Sequence, residues 1–112
     1  MKLITAVVQV HAMPAIREAL EHAGVRGMTV TQAQGYGQQR GSTEIYRGAE
    51  FEAAFVPKLK LEIVTSEWQV DRIVEAIVHA SSTGTVGDGK IWVSPVDEVI
   101  RVRTGERGEE AL

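Results

Sequence analysis

The chain has 112 residues, of which 44% are hydrophobic and 24% are charged, the size and balance of a single domain that buries its own core. It contains no cysteine, which excludes a disulfide framework, a thiolate metal site and a thiol nucleophile. The formal net charge of -3 argues against nucleic-acid binding, which needs a basic surface. No run approaches the roughly 18 apolar residues of a membrane span, and no apolar leader follows Met1. We therefore expect a cytoplasmic protein that neither crosses a membrane nor binds nucleic acid.

The first third of the chain has the pattern of a strand, a helix and a second strand. Residues 3–10 are mostly apolar and β-branched, which predicts a strand buried on both faces. Pro14 suits the first turn of a helix, and an apolar stripe at helical spacing then runs as far as Gly24, a natural stop. Residues 28–34 predict the return strand.

The pattern repeats after a long gap. Residues 58–65 alternate, with Leu59, Leu61 and Ile63 facing one way and Lys58, Lys60 and Glu62 the other. The charged face is either solvated or a binding surface. Ser66 and Gln69 have the spacing of a capping box at the start of an amphipathic helix that continues to Val78.

Two short strands are predicted at the end, over residues 90–94 and 98–103, followed by a mobile acidic tail over 106–112. The complete order predicts an α+β, ferredoxin-like βαββαβ fold with an extra C-terminal strand and both helices on one face of the sheet. The sheet face without helices would then need a partner, and contact with other copies of the chain in an oligomer is the simplest way to cover it.

Residues 35–57 do not fit a compact domain. They form a stretch of glycines, aromatics and arginines with no persistent period, and loops longer than about 15 residues are usually functional or disordered. Aromatic and arginine content is typical of interaction surfaces.

The glycine-rich run 83–90 is the strongest local signal. Its G-x-x-x-x-G-K pattern, Gly84 to Lys90, is similar to a P-loop, but Ile91 stands where the magnesium-binding hydroxyl belongs and a strand follows instead of a helix. We reject a P-loop, and two interpretations stay open: a nest of N–H groups that binds an anion beside Lys90, or a plain turn.

Two further patterns are weaker. The run 35–40 begins like a dinucleotide fingerprint, but Arg40 replaces the third glycine. Arg101 and Arg103 would project from one strand face about 7 Å apart, either to span phosphates or as a solvated pair. No catalytic triad, carboxylate pair or metal-ligand spacing is evident, which favours a ligand-sensing module over an enzyme.

Residues 83–93 (TGTVGDGKIWV) and 46–50 (YRGAE), together with 35–37 (GYG), 58–62 (KLKLE) and 101–106 (RVRTGE), resemble the signatures of the P-II nitrogen-regulatory signal proteins. The resemblance covers nearly the whole chain as one domain, 1–112. It implies a homotrimer that binds ATP or ADP in clefts between subunits, with Mg²⁺ and 2-oxoglutarate at the base of a long T-loop, here about 37–55. The T-loop would dock onto an Amt-type ammonium transporter, which would recruit the protein to the membrane, or onto another enzyme or regulator of nitrogen metabolism.

The resemblance also implies roles for individual residues. It places the nucleotide on Thr29, Gly35, Gly37, Gln38, Gln39, Glu62, Gly87, Asp88, Gly89, Lys90, Arg101 and Arg103. It places 2-oxoglutarate on Tyr36, Gln39, Lys58 and Gly87, the magnesium ion on Gln39, and the partner contact on Tyr46 and Arg47.

Several positions depart from the family pattern. Phe51 replaces the tyrosine that many relatives nucleotidylate, and Ala49 replaces a serine that some phosphorylate, so we expect no covalent modification there. Gln38 replaces an arginine that is usual near the phosphates, and residues 9–12 differ from the usual basic run. A divergent regulator that reads another small anion, and a slow ATPase, are the alternatives.

Overall fold

The computed structural model describes residues 1–36 and 55–112. Its strands and helices, in chain order, are β1 (Lys2–Gln9), α1 (Met13–His22), β2 (Thr29–Gly35), β3 (Val56–Thr65), α2 (Val70–Ser81) and β4 (Gly89–Pro95). Short 3₁₀ turns span Val10–Ala12, Glu67–Gln69 and Gly108–Ala111. None of the helices in this described part has both the length and the apolar character needed to span a bilayer.

The four strands form one antiparallel sheet in the order β2-β3-β1-β4. This confirms the predicted ferredoxin-like α+β fold, in which the two βα units interleave so that the first strand of each lies at the centre. The register pairs Ile4 with Ile63 and Ala6 with Leu61 across the two central strands. These side chains share one face of the sheet because side chains alternate along a strand.

The core lies between that face and the two helices. Ile16 and Leu20 of α1 and Ile73 and Ile77 of α2 are spaced one helical turn apart, and all four are buried against β1 and β3. Burying each such side chain contributes about 1.5–3 kcal/mol. The apolar stripes read from the sequence therefore orient both helices.

Among residues 1–36 and 55–112, no helix lies on the opposite sheet face. One cross-strand row on this face places Thr29, Glu62, Thr5 and Trp92 side by side. Trp92 keeps 48% of its surface exposed there. A half-exposed tryptophan on a helix-free face is typical of a surface that a partner covers.

The capping box predicted at Ser66 is wrong. The Ser66 hydroxyl donates instead to a carboxylate oxygen of Glu109 at 2.6 Å, and the Gln69 N–H bonds the Ser66 carbonyl. A 3₁₀ turn intervenes, so that α2 begins at Val70. The hydroxyl is drawn away because the C-terminal segment, distant in sequence, folds beside it.

The C-terminal segment also differs from its prediction. Residues 98–103 do not form a strand; Ile100 makes an isolated bridge to Arg107, and the chain turns back between them. The tail predicted to be mobile forms a 3₁₀ turn tied to Ser66. The chain can turn here because Gly105 adopts a positive φ of 76°, which L side chains rarely adopt.

Candidate functional site

The candidate site residues lie at two opposite ends of the sheet. We call the loop end the one formed by Gln9, Gly35, Val56 and Gly89, and the tail end the one formed by Lys2, Thr29, Thr65 and Pro95. The loop end flanks the T-loop stretch and the glycine-rich run. The tail end meets the C-terminal segment.

At the loop end, the glycine-rich run is organised around Asp88. Its carboxylate accepts hydrogen bonds from the Thr83 N–H at 2.6 Å, the Thr83 hydroxyl at 2.6 Å and the Gly84 N–H at 3.0 Å. The Thr83 hydroxyl, followed by the Thr83 backbone N–H, holds the pKa of this exposed carboxyl below its usual value. Because these donors engage the carboxylate inside the loop, Asp88 shapes the loop.

Gly89 joins this loop to β4, and only glycine fits there. Its φ is +122°, and a Cβ atom at this position would lie 2.0 Å from the carbonyl oxygen of Val7 in β1. Gly87 also has a positive φ, of 104°. Both glycines therefore allow the backbone to turn at these positions. This is the role they have in the plain turn, one of the two interpretations that the sequence left open; the other is anion binding.

Lys58 connects β3 to the glycine-rich loop. Its side chain is only 6% exposed, and its ammonium donates to the Gly87 carbonyl at 2.7 Å. The stem lies against Gly35, where an added Cβ would stand 3.2 Å from Cγ of Lys58. A buried ammonium needs partners for its three donors. Lys58 thus brings a buried positive charge into contact with two other predicted site residues, Gly35 and Gly87.

The T-loop stretch begins and ends beside this cluster. Gly35 pairs with Val56 as the last pair between β2 and β3, and beyond it the rings of Tyr36 and Phe55 meet with centroids 5.4 Å apart. Eight positions singled out from the sequence lie outside the described residues: Gly37, Gln38, Gln39, Arg40, Tyr46, Arg47, Ala49 and Phe51.

At the tail end, Thr29 and Glu62, two of the predicted nucleotide contacts, are direct cross-strand partners. They line a cavity of about 560 Å³ whose other walls include Gly27, Val64, Val99 and Leu112. Sequence reasoning missed the last two as cavity walls, because a tail expected to be mobile gives no signal that it will fold over a sheet end.

Arg101 and Arg103 also lie at the tail end, but not as predicted. Arg101 donates to a carboxylate oxygen of Glu106 at 2.6 Å and to the Leu112 carbonyl oxygen at 3.1 Å. Arg103 stands exposed in the turn. The prediction that both project from one strand face is wrong, since no strand forms there.

The two predicted phosphate-binding groups are therefore far apart within one chain. Gly87, Gly89 and Lys90 stand at the start of β4, and the two arginines follow its end. At about 3.3 Å per residue, the strand from Gly89 to Pro95 separates them by roughly 20 Å. Within residues 1–36 and 55–112, no cluster of three or more His, Asp or Glu side chains that could hold a metal ion occurs.

Known proteins match this sequence over nearly all of its length. The family model described as nitrogen regulatory protein P-II matches residues 1–106. Proteins of that name from Azospirillum brasilense and Pasteurella multocida are each 49% identical over 112 residues, which cover 100% of both chains. One from Synechocystis sp. is 48% identical with the same coverage. The matched range includes both ends of the sheet.

Proposed function

Because this chain belongs to the nitrogen regulatory protein P-II family and is therefore a regulator in nitrogen signalling, we propose that it is a homotrimer that senses ATP or ADP together with 2-oxoglutarate. Through its T-loop it controls an Amt-type ammonium transporter or another protein of nitrogen metabolism. The observation that carries the proposal is the division of the candidate phosphate-binding residues between the two ends of β4.

β4, about 20 Å long, stands between the two groups within one chain. A hydrogen bond spans only about 3 Å, so the two groups are not placed to hold the same phosphate. If Lys90 and Arg103 hold the same phosphates, the loop end of one subunit must meet the tail end of the next. Such head-to-tail contacts form a ring when the rotation from one subunit to the next closes, as in the homotrimer that we propose. The uncovered sheet face with its half-exposed Trp92 supports assembly of this kind.

The loop end has the chemistry to hold phosphates. The Asp88 carboxylate takes the N–H groups of Thr83 and Gly84 and so keeps the turn from Thr83 to Gly89 in shape before a ligand arrives; the phosphates would bind to N–H groups nearer Gly87. Consecutive N–H groups beside a cation favour an anion, and Lys90 is exposed at the adjoining position. Magnesium bound to nucleotides takes most of its ligands from phosphates and water, so few protein ligands are needed. Gln39 is the residue we propose for that role.

2-Oxoglutarate would act on Lys58. The ammonium now bonds a neutral carbonyl, that of Gly87, and a carboxylate is a stronger partner because the hydrogen bond is then charge-assisted at both ends. The ring pair of Tyr36 and Phe55 lies beside this point, at both ends of the T-loop stretch. A ligand that reorders this cluster changes the base of the T-loop, which couples sensing to docking by Tyr46 and Arg47. Phe51 lacks a hydroxyl, so we expect ligands alone to switch the protein.

A subunit-mixing experiment tests the divided site. Lys90→Ala and Arg103→Ala each remove one half of it, so each variant alone should bind ATP weakly in calorimetry. Random co-assembly should restore wild-type affinity at about one quarter of the clefts, those that combine an intact loop end with an intact tail end. If the complete site lies within one chain, mixing restores no binding, and the proposal fails.

Calorimetry of the wild-type protein tests the sensed ligands. We expect 2-oxoglutarate to bind only with Mg-ATP present and to tighten ATP binding in return, a reciprocal coupling of about 1–3 kcal/mol. Equal 2-oxoglutarate binding with and without ATP would contradict this coupling. ATP binding without any response to 2-oxoglutarate would favour a regulator that reads another small anion.

A further inference from the structure

The C-terminal segment holds Arg101 from two sides. One terminal nitrogen of its guanidinium donates to Glu106 at 2.6 Å, and the other donates to the carbonyl oxygen of Leu112 at 3.1 Å. The Thr104 hydroxyl donates to the same Glu106 oxygen at 2.9 Å. We call this arrangement, Arg101 with Glu106 and Leu112, the arginine clasp.

The backbone keeps the clasp closed. The Arg101 N–H donates to the Glu106 carbonyl at 2.9 Å, and the Gly105 N–H donates to the Arg101 carbonyl at 2.7 Å. Glu109 anchors the following turn through Ser66. The carboxylate of Glu106 is therefore delivered to the guanidinium by a folded turn rather than by chance contact of two long side chains.

The clasp engages one N–H on each terminal nitrogen of the guanidinium with which Arg101 would bind an anion. A guanidinium recognises phosphate best with two parallel N–H donors, and here both terminal nitrogens already have oxygen partners. Glu106 also brings a negative charge to the place where phosphate charge would arrive. The side chains of Arg101 and Glu106 are 34% and 42% exposed, so a competing anion can reach the pair.

We propose that Glu106 is a positioning residue that competes with the nucleotide phosphates for Arg101 and so lowers the affinity of the tail end for phosphorylated ligands. This rests on the proposed function, since it takes Arg101 as a phosphate contact. The competition sets a threshold: nucleotide binds when its phosphates displace the internal carboxylate.

The turn offers a matched control. Glu98 pairs with Arg107 at the base of the same turn, with 57% of its side chain exposed against 42% for Glu106. Among the described residues no ion pair joins Glu98 to Arg101. Glu106→Gln and Glu98→Gln each remove one negative charge while keeping the side-chain shape. Only the first weakens the arginine clasp.

The experiment titrates ATP, adenosine and inorganic tripolyphosphate into the intact assembled protein and both variants by calorimetry. Glu106→Gln should bind ATP and tripolyphosphate about two- to fivefold more tightly than wild type, the range for a partly exposed ion pair. Adenosine affinity should not change, and Glu98→Gln should gain clearly less than Glu106→Gln for both phosphate ligands.

Each outcome decides one claim. Unchanged or weaker phosphate binding by Glu106→Gln overturns the competition, as does an equal gain in Glu98→Gln, which would show a general charge effect. A matching gain for adenosine would show a rearranged cavity and overturns it too. If wild type binds no ATP, the proposed function fails, and the tripolyphosphate titration alone then decides whether Glu106 competes.

Discussion

Gly89 provides a quantitative test of how the glycine-rich loop is attached to the sheet. Replacing it with alanine places a Cβ 2.0 Å from the Val7 carbonyl oxygen, whereas real Cβ contacts are essentially never shorter than 3.0 Å. The obstacle is backbone of the central strand β1, so β4 must move outward by about 1 Å and lose pairing at its first residues. The φ of +122° adds strain of its own.

The expected cost follows from these two effects. A side chain in a backbone region reserved for glycine costs about 1–3 kcal/mol. Each lost ladder hydrogen bond costs about 0.5–1.5 kcal/mol. With one ladder hydrogen bond lost, Gly89→Ala should therefore lower the free energy of unfolding by about 1.5–4.5 kcal/mol, a large part of the roughly 5–15 kcal/mol that is typical of native proteins.

Two other glycines provide the controls. Gly84 has a φ of +82° with nothing within 4 Å of an added Cβ, so Gly84→Ala should cost only backbone strain, about 1–2 kcal/mol. Gly27 has neither a positive φ nor a near neighbour, so Gly27→Ala should be neutral or slightly stabilising. Urea unfolding followed by circular dichroism, at one fixed protein concentration because assembly shifts apparent stability, ranks the three variants. Equal stability of Gly89→Ala and Gly84→Ala would refute the steric argument.

Two further predictions concern the two ends of the sheet. The pKa of Asp88 is lower in the folded loop than its usual value of 3.8, so the carboxylate's contribution to loop order is complete above pH 3.8 and is lost as the pH falls through the lower, folded pKa. The amide resonances of Thr83 and Gly84 should follow this transition in NMR, and Asp88→Asn should abolish it. A titration midpoint at or above 3.8 would contradict the loop geometry. Arg103→Ala should leave the free energy of unfolding within about 0.5 kcal/mol of wild type, because the side chain is exposed in a turn. The same variant should bind ATP more weakly by about 1.5–3 kcal/mol. Loss of stability instead of ATP affinity would make Arg103 a structural residue.

Local pattern determined much of this molecule. The alternation in residues 58–65 and the apolar stripes of both helices predicted the elements and the buried face, because burial of that face dominates folding. The motifs of residues 83–93 and 46–50 indicated the family, which the comparisons confirm. Lys58 was also singled out correctly as a charge on a strand, although its ligand role remains a proposal.

Only the tertiary structure decided how the candidate residues are grouped. No local rule tells that the Ser66 hydroxyl bonds Glu109 instead of capping a helix, or that Arg101 turns toward Glu106 and Leu112. For each of these side chains, a hydrogen-bond partner in the C-terminal segment competes with partners nearby in the sequence. Which bond forms depends on where the C-terminal segment folds. The direction of β4 likewise puts Lys90 at its start and the segment that carries Arg101 beyond its end, so the candidate residues are divided between the two ends of the sheet.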